Sequence, residues 1–241
     1  MYWSSWDAVR RIATMATYAE YCPITAGAEF FADRWTPLVL RELMMGSHRF
    51  NDIHRGIPRI SRTLLAQRLR TLVSRGLVEK VDGEYYLTEA GEELQPIVWS
   101  LGYWAVKWTF RDPDRDQLDV GWLVWRLRPQ LLPDKMPKRR TTIEFRATGR
   151  RPGRAWLVAE RGEVTACETD PGYDVDLLVR ADNDALHRWY AGRADLREEI
   201  AAGRIELIGP PRVVRGFPTW IPSHPMRDEI WRVARTERKA S

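Results

Sequence analysis

Arginine side chains are concentrated in one short stretch of this 241-residue chain. From His48 to Arg75 there are seven arginines and one acidic residue, whereas residues 76–93 hold six acidic residues and one lysine. The planar guanidinium group of arginine can bind a phosphate or the edge of a guanine base through two hydrogen bonds at once. Because the net charge of the whole chain is only +5, it is the local concentration of arginine that points to a polyanionic partner.

The second half of this stretch has the pattern of an amphipathic helix. Ser61 is a suitable N-cap for it and Gly76 a suitable end. One face would carry an apolar stripe formed by Leu65, Leu69, Leu72 and Val73. The opposite face would carry Arg62, Thr63, Ala66, Gln67 and Arg70. Glutamine can hydrogen-bond adenine, and the small side chains would let the backbone approach a groove of a duplex. For such a helix considered alone, a solvated charged face is the alternative.

The elements around this helix decide between the two interpretations. In chain order the sequence predicts a helix over 28–45 with a kink or a new start at Pro37, a short helix over 50–55, a turn over 56–59, the helix over 61–75, a hairpin over 77–88 and a helix from Thr88 to Phe110. The hairpin is predicted because Asp82-Gly83 separates two β-prone runs. This order is typical of a winged helix-turn-helix and favours DNA binding over a solvated face.

Several motifs of the first half occur in a recognisable order. They are Tyr21-Cys-Pro-Ile24, Phe31 to Leu43, Arg49-Phe-Asn-Asp-Ile53, Gln67-Arg-Leu-Arg70, Gly76-Leu-Val-Glu79 and Tyr86-Leu-Thr-Glu-Ala-Gly91. Together they resemble the HxlR-type transcriptional regulators. The resemblance implies a dimeric protein that binds promoter DNA, usually as a repressor and sometimes as an activator. The hairpin differs from many members because it is acidic, at Asp82 and Glu84. Since carboxylates repel phosphate, we expect no contact of this wing with the minor groove.

The expected partner is therefore double-stranded DNA at a promoter operator. The residues expected to enter the major groove are Ser61, Arg62, Thr63, Gln67 and Arg70. Those expected to contact phosphate are Arg49, Arg55 and Arg68. The helix that follows the wing carries apolar residues at positions 94, 97, 98, 101, 104, 105 and 108, a stripe that suits packing between two protomers. Packing of the stripe within its own domain is the alternative.

Cys22 is a candidate for redox sensing. In the family that the chain resembles, a cysteine at this Cys-Pro position senses oxidants or electrophiles in some members. Nearby arginine or lysine would lower the pKa of the thiol and make it reactive, whereas Glu20, which is close in sequence, acts in the opposite direction. A buried, unreactive cysteine is the alternative.

A polar segment from Arg111 to Asp119 predicts a linker. Beyond it, short β-prone runs separated by glycine and proline predict an antiparallel sheet, followed by helices. The motifs Thr142-Ile-Glu-Phe145, Trp156-Leu-Val158, Val175 to Asp182 and Ile205 to Gly209 resemble the sterol carrier protein type 2-like fold. That resemblance implies a cavity between sheet and helices for an apolar small-molecule effector, and Trp156, Trp189 and Leu207 are the residues we expect to line it. A filled core that supports dimerisation is the alternative.

The sequence thus predicts an α+β fold. A winged helix-turn-helix domain over residues 1–112 precedes a sterol-carrier-like domain over residues 120–225 with a mainly antiparallel sheet. With no glycine-rich phosphate loop, metal-ligand spacing or nucleophile paired with histidine in the sequence, neither an enzyme nor a cofactor is expected. Met1 to Ala19 has no secretion-signal pattern, and no stretch suits a membrane span, so we expect a cytoplasmic protein. The rival function is a carrier of apolar ligands whose first half mainly dimerises.

Overall fold

The computed structural model describes residue 18, residues 20–221 and residues 226–240, the last three by their backbone only. The secretion signal that the sequence argues against would fall almost entirely outside these residues. The chain divides into two compact units, and the boundary lies between Gly102 and Tyr103. The domain limits 1–112 and 120–225 stay a prediction. Among the described residues, no helix is long and apolar enough to cross a lipid bilayer.

The first unit has the predicted order of elements. They are α1 (Pro23–Phe31), α2 (Thr36–Met44), α3 (Phe50–Gly56), α4 (Arg62–Ser74), β1 (Val78–Val81), β2 (Glu84–Leu87), α5 (Glu89–Glu92) and α6 (Gln95–Trp108), of which α6 runs past the boundary. Two predicted helices are each divided in two. The stretch 28–45 contains parts of α1 and α2, because Pro37 lies in the first turn of α2, where its missing N–H is not needed. The predicted helix from Thr88 is interrupted at residues 93–94, before α6, because Pro96, the second residue of α6, has no N–H to donate to the turn before it.

The leucine stripe of α4 forms much of the core of the first unit. Leu65 and Leu69 are fully buried, and Leu72 is 1% exposed. They pack in one cluster with residues of α2 and α3, among them Val39 and Ile53. Since α4 buries this stripe, its opposite side faces solvent.

The wing, formed by β1 and β2, turns at the two residues that the sequence indicates. Val81 pairs with Glu84 across the turn. Asp82 and Gly83 between them both have positive φ, 49° and 87°. Two successive residues of this kind give the turn the twist that a two-stranded hairpin requires.

The second unit is built on a mixed sheet with helices on one face. Its elements are α7 (Val120–Leu127), β3 (Thr141–Thr148), β4 (Gly153–Glu160), β5 (Glu163–Cys167), β6 (Leu177–Asp182), α8 (Asn183–Tyr190), α9 (Leu196–Ala201), β7 (Ile205–Ile208), α10 (Pro211–Trp220) and α11 (Arg227–Ala240). The strands lie in the order β5-β4-β3-β6-β7. All neighbouring pairs are antiparallel except β3 and β6, which are parallel. The predicted α+β fold class with a mainly antiparallel sheet is confirmed.

Two boundaries in this unit differ from the sequence prediction. The strand predicted over 175–179 is β6, which begins two residues later, because Val175 is 42% exposed and has no partner in the sheet register. The helix predicted over 121–132 ends at Leu127, and a short 3-10 helix that contains Pro129 follows it.

Large side chains fill the space between the sheet and the helices. Phe145 of β3 and Phe217 of α10 are both fully buried, and their ring centroids lie 6.4 Å apart. Phe217 also contacts Trp220 at 6.1 Å and Trp189 of α8 at 5.9 Å. This aromatic packing belongs to one continuous apolar core.

Gly56 provides a test of the packing under α3. A Cβ at this position would lie 1.9 Å from Oε2 of Glu42, a carboxylate that is only 1% exposed. We therefore expect Gly56→Ala to lower the free energy of unfolding of the first unit by roughly 1–3 kcal/mol, because the buried carboxylate must move. Gly27→Ala in α1 is the matched control, since nothing lies within 4 Å of its Cβ position. Urea unfolding measures both, and an unchanged midpoint for Gly56→Ala would contradict the packing described.

Candidate nucleic-acid interface

The outward face of α4 carries the side chains expected to contact bases. All five are exposed: Ser61, Arg62, Thr63, Gln67 and Arg70. The hydroxyl of Ser61 caps the helix by accepting a hydrogen bond from the backbone N–H of Leu64 at 3.2 Å. The structure thus places these residues on one solvent-facing surface, which extends from the N-terminal end of α4 to its middle.

Arg62 is held in place by two residues of α3. Its Nη2 donates to Oδ1 of Asn51 at 2.7 Å. Its guanidinium carbon lies 5.0 Å from the ring centroid of Phe50, within the range of a cation–π contact. Both partners belong to the motif Arg49-Phe-Asn-Asp-Ile53, in which the sequence prediction assigned no role to Phe50 or Asn51. Because Arg62 is already ordered, less conformational freedom is lost when it binds a partner.

Arg49 and Arg55 lie at opposite ends of α3, and both are exposed. Arg49 precedes the first residue of the helix, and its side chain is 75% exposed. Its Nε donates to Oε1 of Glu84 in the wing at 2.8 Å. Hydrogen bonds from Tyr86 and from Arg49 lower the pKa of the Glu84 carboxyl, so this carboxylate is charged at neutral pH.

The structure does not support the phosphate contact predicted for Arg68, because this arginine is placed differently from Arg49 and Arg55. Its side chain is only 13% exposed and forms an ion pair with Asp33, in the loop between α1 and α2. Arg68 directly follows Gln67, so it lies about 100° around the helix from that residue and beside the core. This position does not suit a phosphate contact, and the structure supports a role for Arg68 in holding the loop on α4.

Helix α6 exposes large apolar side chains along the predicted stripe. Ile97 and Leu101 are 49% and 47% exposed, and Trp104 and Trp108 are 55% and 58% exposed. Such a row is unusual on a surface that only meets water, since exposed tryptophan side chains are enriched at protein interfaces.

Cys22 is the N-cap residue of α1. The backbone N–H groups of Thr25 and Ile24, at the start of this helix, lower the pKa of its thiol. Charged neighbours in the sequence do not indicate this effect, which comes from the start of a helix. A sensing role for Cys22 stays a prediction.

The three residues expected to line an apolar cavity do not lie together. Trp189 and Leu207 pack against the core between sheet and helices. Trp156 lies on the other face of the sheet, because its neighbours Ala155 and Leu157 in β4 belong to that core and successive side chains alternate. The other face has a cleft of about 540 Å³, which lies against Val158, Cys167 and Tyr173 among others. The structure therefore separates these residues rather than gathering them around a ligand.

The comparisons with known proteins agree with this geometry. Residues 30–113 match the HxlR-like helix-turn-helix family. The chain is 33% identical over 98 residues to the uncharacterized HTH-type transcriptional regulator YvaP of Bacillus subtilis, a match that covers 37% of this chain and 91% of that protein. This chain belongs to the HxlR-like helix-turn-helix family. As a family member it is a DNA-binding regulator by class, and the winged helix-turn-helix of its first unit is confirmed.

Two solved structures are also similar to this HxlR-like chain. One is the quinone-bound YodB from B. subtilis, with 37% identity, a TM-score of 0.33, and coverage of 35% of this chain and 96% of that chain. The other is a ubiquinone synthesis protein, UbiJ-SCP2, with 18% identity, a TM-score of 0.30, and coverage of 53% of this chain and 95% of that chain.

The ion pair of Arg68 predicts that two arginines of the same helix differ in how much they contribute to the stability of the first unit. Arg68→Ala leaves Asp33 without its partner, so we expect the free energy of unfolding of the first unit to fall by roughly 1–2 kcal/mol, a modest loss because Asp33 keeps access to water. Arg70→Ala is the matched control, since Arg70 is exposed and its loss should change stability by less than about 0.5 kcal/mol. Urea titration of both variants measures this, and equal stabilities would show that the ion pair does not hold the loop.

Proposed function

We propose that this protein is a homodimeric transcriptional repressor that inserts α4 of each protomer into the major groove of a pseudo-palindromic operator. The observation that carries the proposal is the exposed face of α4, on which Arg62 is already ordered by Asn51 and Phe50. An arginine fork can bond the major-groove edge of guanine, and a glutamine can bond that of adenine. Family membership supports the same conclusion.

The proposed contacts divide into two kinds. Arg62, Gln67 and Arg70 would contact bases, with Ser61 and Thr63 at the close approach of the helix to the groove. Arg49 and Arg55 would contact phosphates on either side, since they lie at the two ends of α3. Arg68 is not part of this set.

The dimer proposal is supported by α6. A winged helix-turn-helix monomer covers one half-site, and two half-sites one helical turn apart require a second copy with its own α4. The row from Ile97 to Trp108 offers an apolar surface on which a second copy can pack.

An apolar effector held by Trp156, Trp189 and Leu207 is not part of the proposal, because these side chains lie on two faces of the sheet. The same separation gives no support to the rival function, a carrier of apolar ligands.

Loss of two of the three proposed base contacts should weaken sequence preference more than it weakens total DNA binding. For the double variant Arg62→Ala/Gln67→Ala we expect the affinity for a duplex selected by the wild-type protein to fall by at least about 30-fold, because each of the two base contacts contributes about 1–3 kcal/mol of discrimination and 1.4 kcal/mol is tenfold. Affinity for random duplexes should fall less, since the other arginines still neutralise phosphates. Fluorescence anisotropy at several salt concentrations measures both affinities.

The control for this experiment is Arg197→Ala, which removes an exposed arginine of α9 in the second unit and should leave affinity for the selected duplex unchanged. If wild-type protein and the double variant bind the selected duplex equally well, α4 is not the element that contacts bases. If the wild-type protein selects no sequence from a random pool, the proposal of a sequence-specific regulator is wrong.

Charge placed in the apolar row of α6 should separate the protomers. Trp104→Glu buries a carboxylate in the proposed dimer interface, so we expect sedimentation to report single chains of 28.1 kDa where the wild type sediments as a dimer. Gln95→Glu adds the same charge at the exposed first residue of α6, on the side of the helix away from the row, and should leave the dimer intact. A wild-type protein that is monomeric at micromolar concentration would contradict the interface.

A further inference from the structure

The wing is fixed to the segment that precedes α3. The backbone N–H of Tyr85 donates to the carbonyl of His48 at 2.8 Å, and Nδ1 of His48 lies 3.0 Å from the carbonyl oxygen of Tyr85. The ring of His48 stacks on that of Tyr86, with centroids 4.4 Å apart and an interplanar angle of 24°. Strand β2 therefore has a defined position relative to the residue that follows His48, which is Arg49.

Glu84 joins the two parts through its side chain. Its Oε2 accepts a hydrogen bond from the hydroxyl of Tyr86 at 2.6 Å, and its Oε1 accepts one from Nε of Arg49 at 2.8 Å. The Glu84 side chain is 30% exposed, whereas that of Arg49 is 75% exposed. Because the bond to Glu84 uses Nε, the two terminal amino groups of Arg49 keep their donors for another acceptor.

We propose that Glu84 is a positioning residue that holds Arg49 in the conformation in which it contacts a DNA phosphate. The Tyr86 hydroxyl fixes the carboxylate, the carboxylate fixes Nε, and the terminal amino groups are presented to a phosphodiester oxygen. This inference rests on the proposed function, since it concerns how the same interface binds the duplex backbone. It assigns a role to an acidic residue that would otherwise only repel DNA.

Two effects of Glu84 oppose each other, and they can be separated. Its negative charge repels phosphate, and this repulsion becomes weaker as the salt concentration rises. Its hydrogen bond orders a long side chain before binding, so less conformational entropy is lost on binding. The second effect requires Arg49, whereas the first does not. Asp82, at the tip of the wing, also carries a negative charge, and no contact between its side chain and Arg49 is found among the described residues.

The experiment is a double-variant cycle on the full chain, with fluorescence anisotropy on the duplex that the wild type selects. We expect Glu84→Ala to weaken binding about fivefold, because Arg49 must then be ordered during binding. In the Arg49→Ala background, Glu84→Ala should not weaken binding, since only the repulsion is removed. Asp82→Asn is the charge control and should leave affinity equal or slightly higher. Glu84→Gln keeps an acceptor for Nε and should bind at least as well as the wild type.

Tyr86→Phe gives a second test that does not alter Glu84 itself. Removal of the hydroxyl frees the carboxylate, so we expect weaker binding with Arg49 present and no change in the Arg49→Ala background. If Glu84→Ala binds as well as the wild type or better, Glu84 only repels DNA and the inference is wrong. If Glu84→Ala does not fold, as thermal unfolding would show, the same comparison with Tyr86→Phe decides. A wild type without sequence preference would instead contradict the proposed function, so the two failures are distinguishable.

Discussion

The rotation of α4 about its own axis is the constraint on which the whole interface depends. Leu65, Leu69 and Leu72 recur at intervals of four and three residues, so their burial against α2 and α3 fixes which side of the helix faces inward. Burial of one leucine side chain contributes roughly 1.5–3 kcal/mol. A rotation that buried Arg62 and Gln67 instead would lose several of these contributions and would also desolvate a charge. The outward position of the polar side chains is thus a consequence of the leucine positions.

The arginines around α4 differ in function although they look alike in the sequence. Arg62 is ordered by α3, Arg49 is ordered by the wing, and Arg68 is used within the fold. A count of basic residues therefore overstates the charge available to DNA. It also hides the role of neighbouring side chains, which determine whether a guanidinium group is mobile, ordered for binding or engaged in an ion pair.

Local signals in the sequence were sufficient for most of the first unit. The cap at Ser61 and the turn at Asp82-Gly83 act within a few residues, so the recognition helix and the wing could be predicted. The break before α6 was missed because the apolar periodicity continues through it, although Pro96 removes one N–H from the helix.

Non-local contacts explain the other differences. The partner of Arg68 lies 35 residues away in the chain, and nothing near Arg68 in the sequence identifies Asp33. The face on which Trp156 lies depends on the register of β4, in which a shift of one residue exchanges the two faces. The role of Glu84 likewise depends on the position of the wing against residues 48–49, which only the folded structure gives.

The most direct test of the account is protection of guanine N7 from methylation in the duplex that the wild-type protein selects, because N7 is exposed only in the major groove. Insertion of α4 from both protomers should protect two clusters of guanine N7 about one helical turn apart. This protection should disappear in Arg62→Ala/Gln67→Ala at a protein concentration that still occupies the duplex. Specific binding that leaves every guanine N7 reactive, or protection that persists unchanged in that variant, would contradict this account.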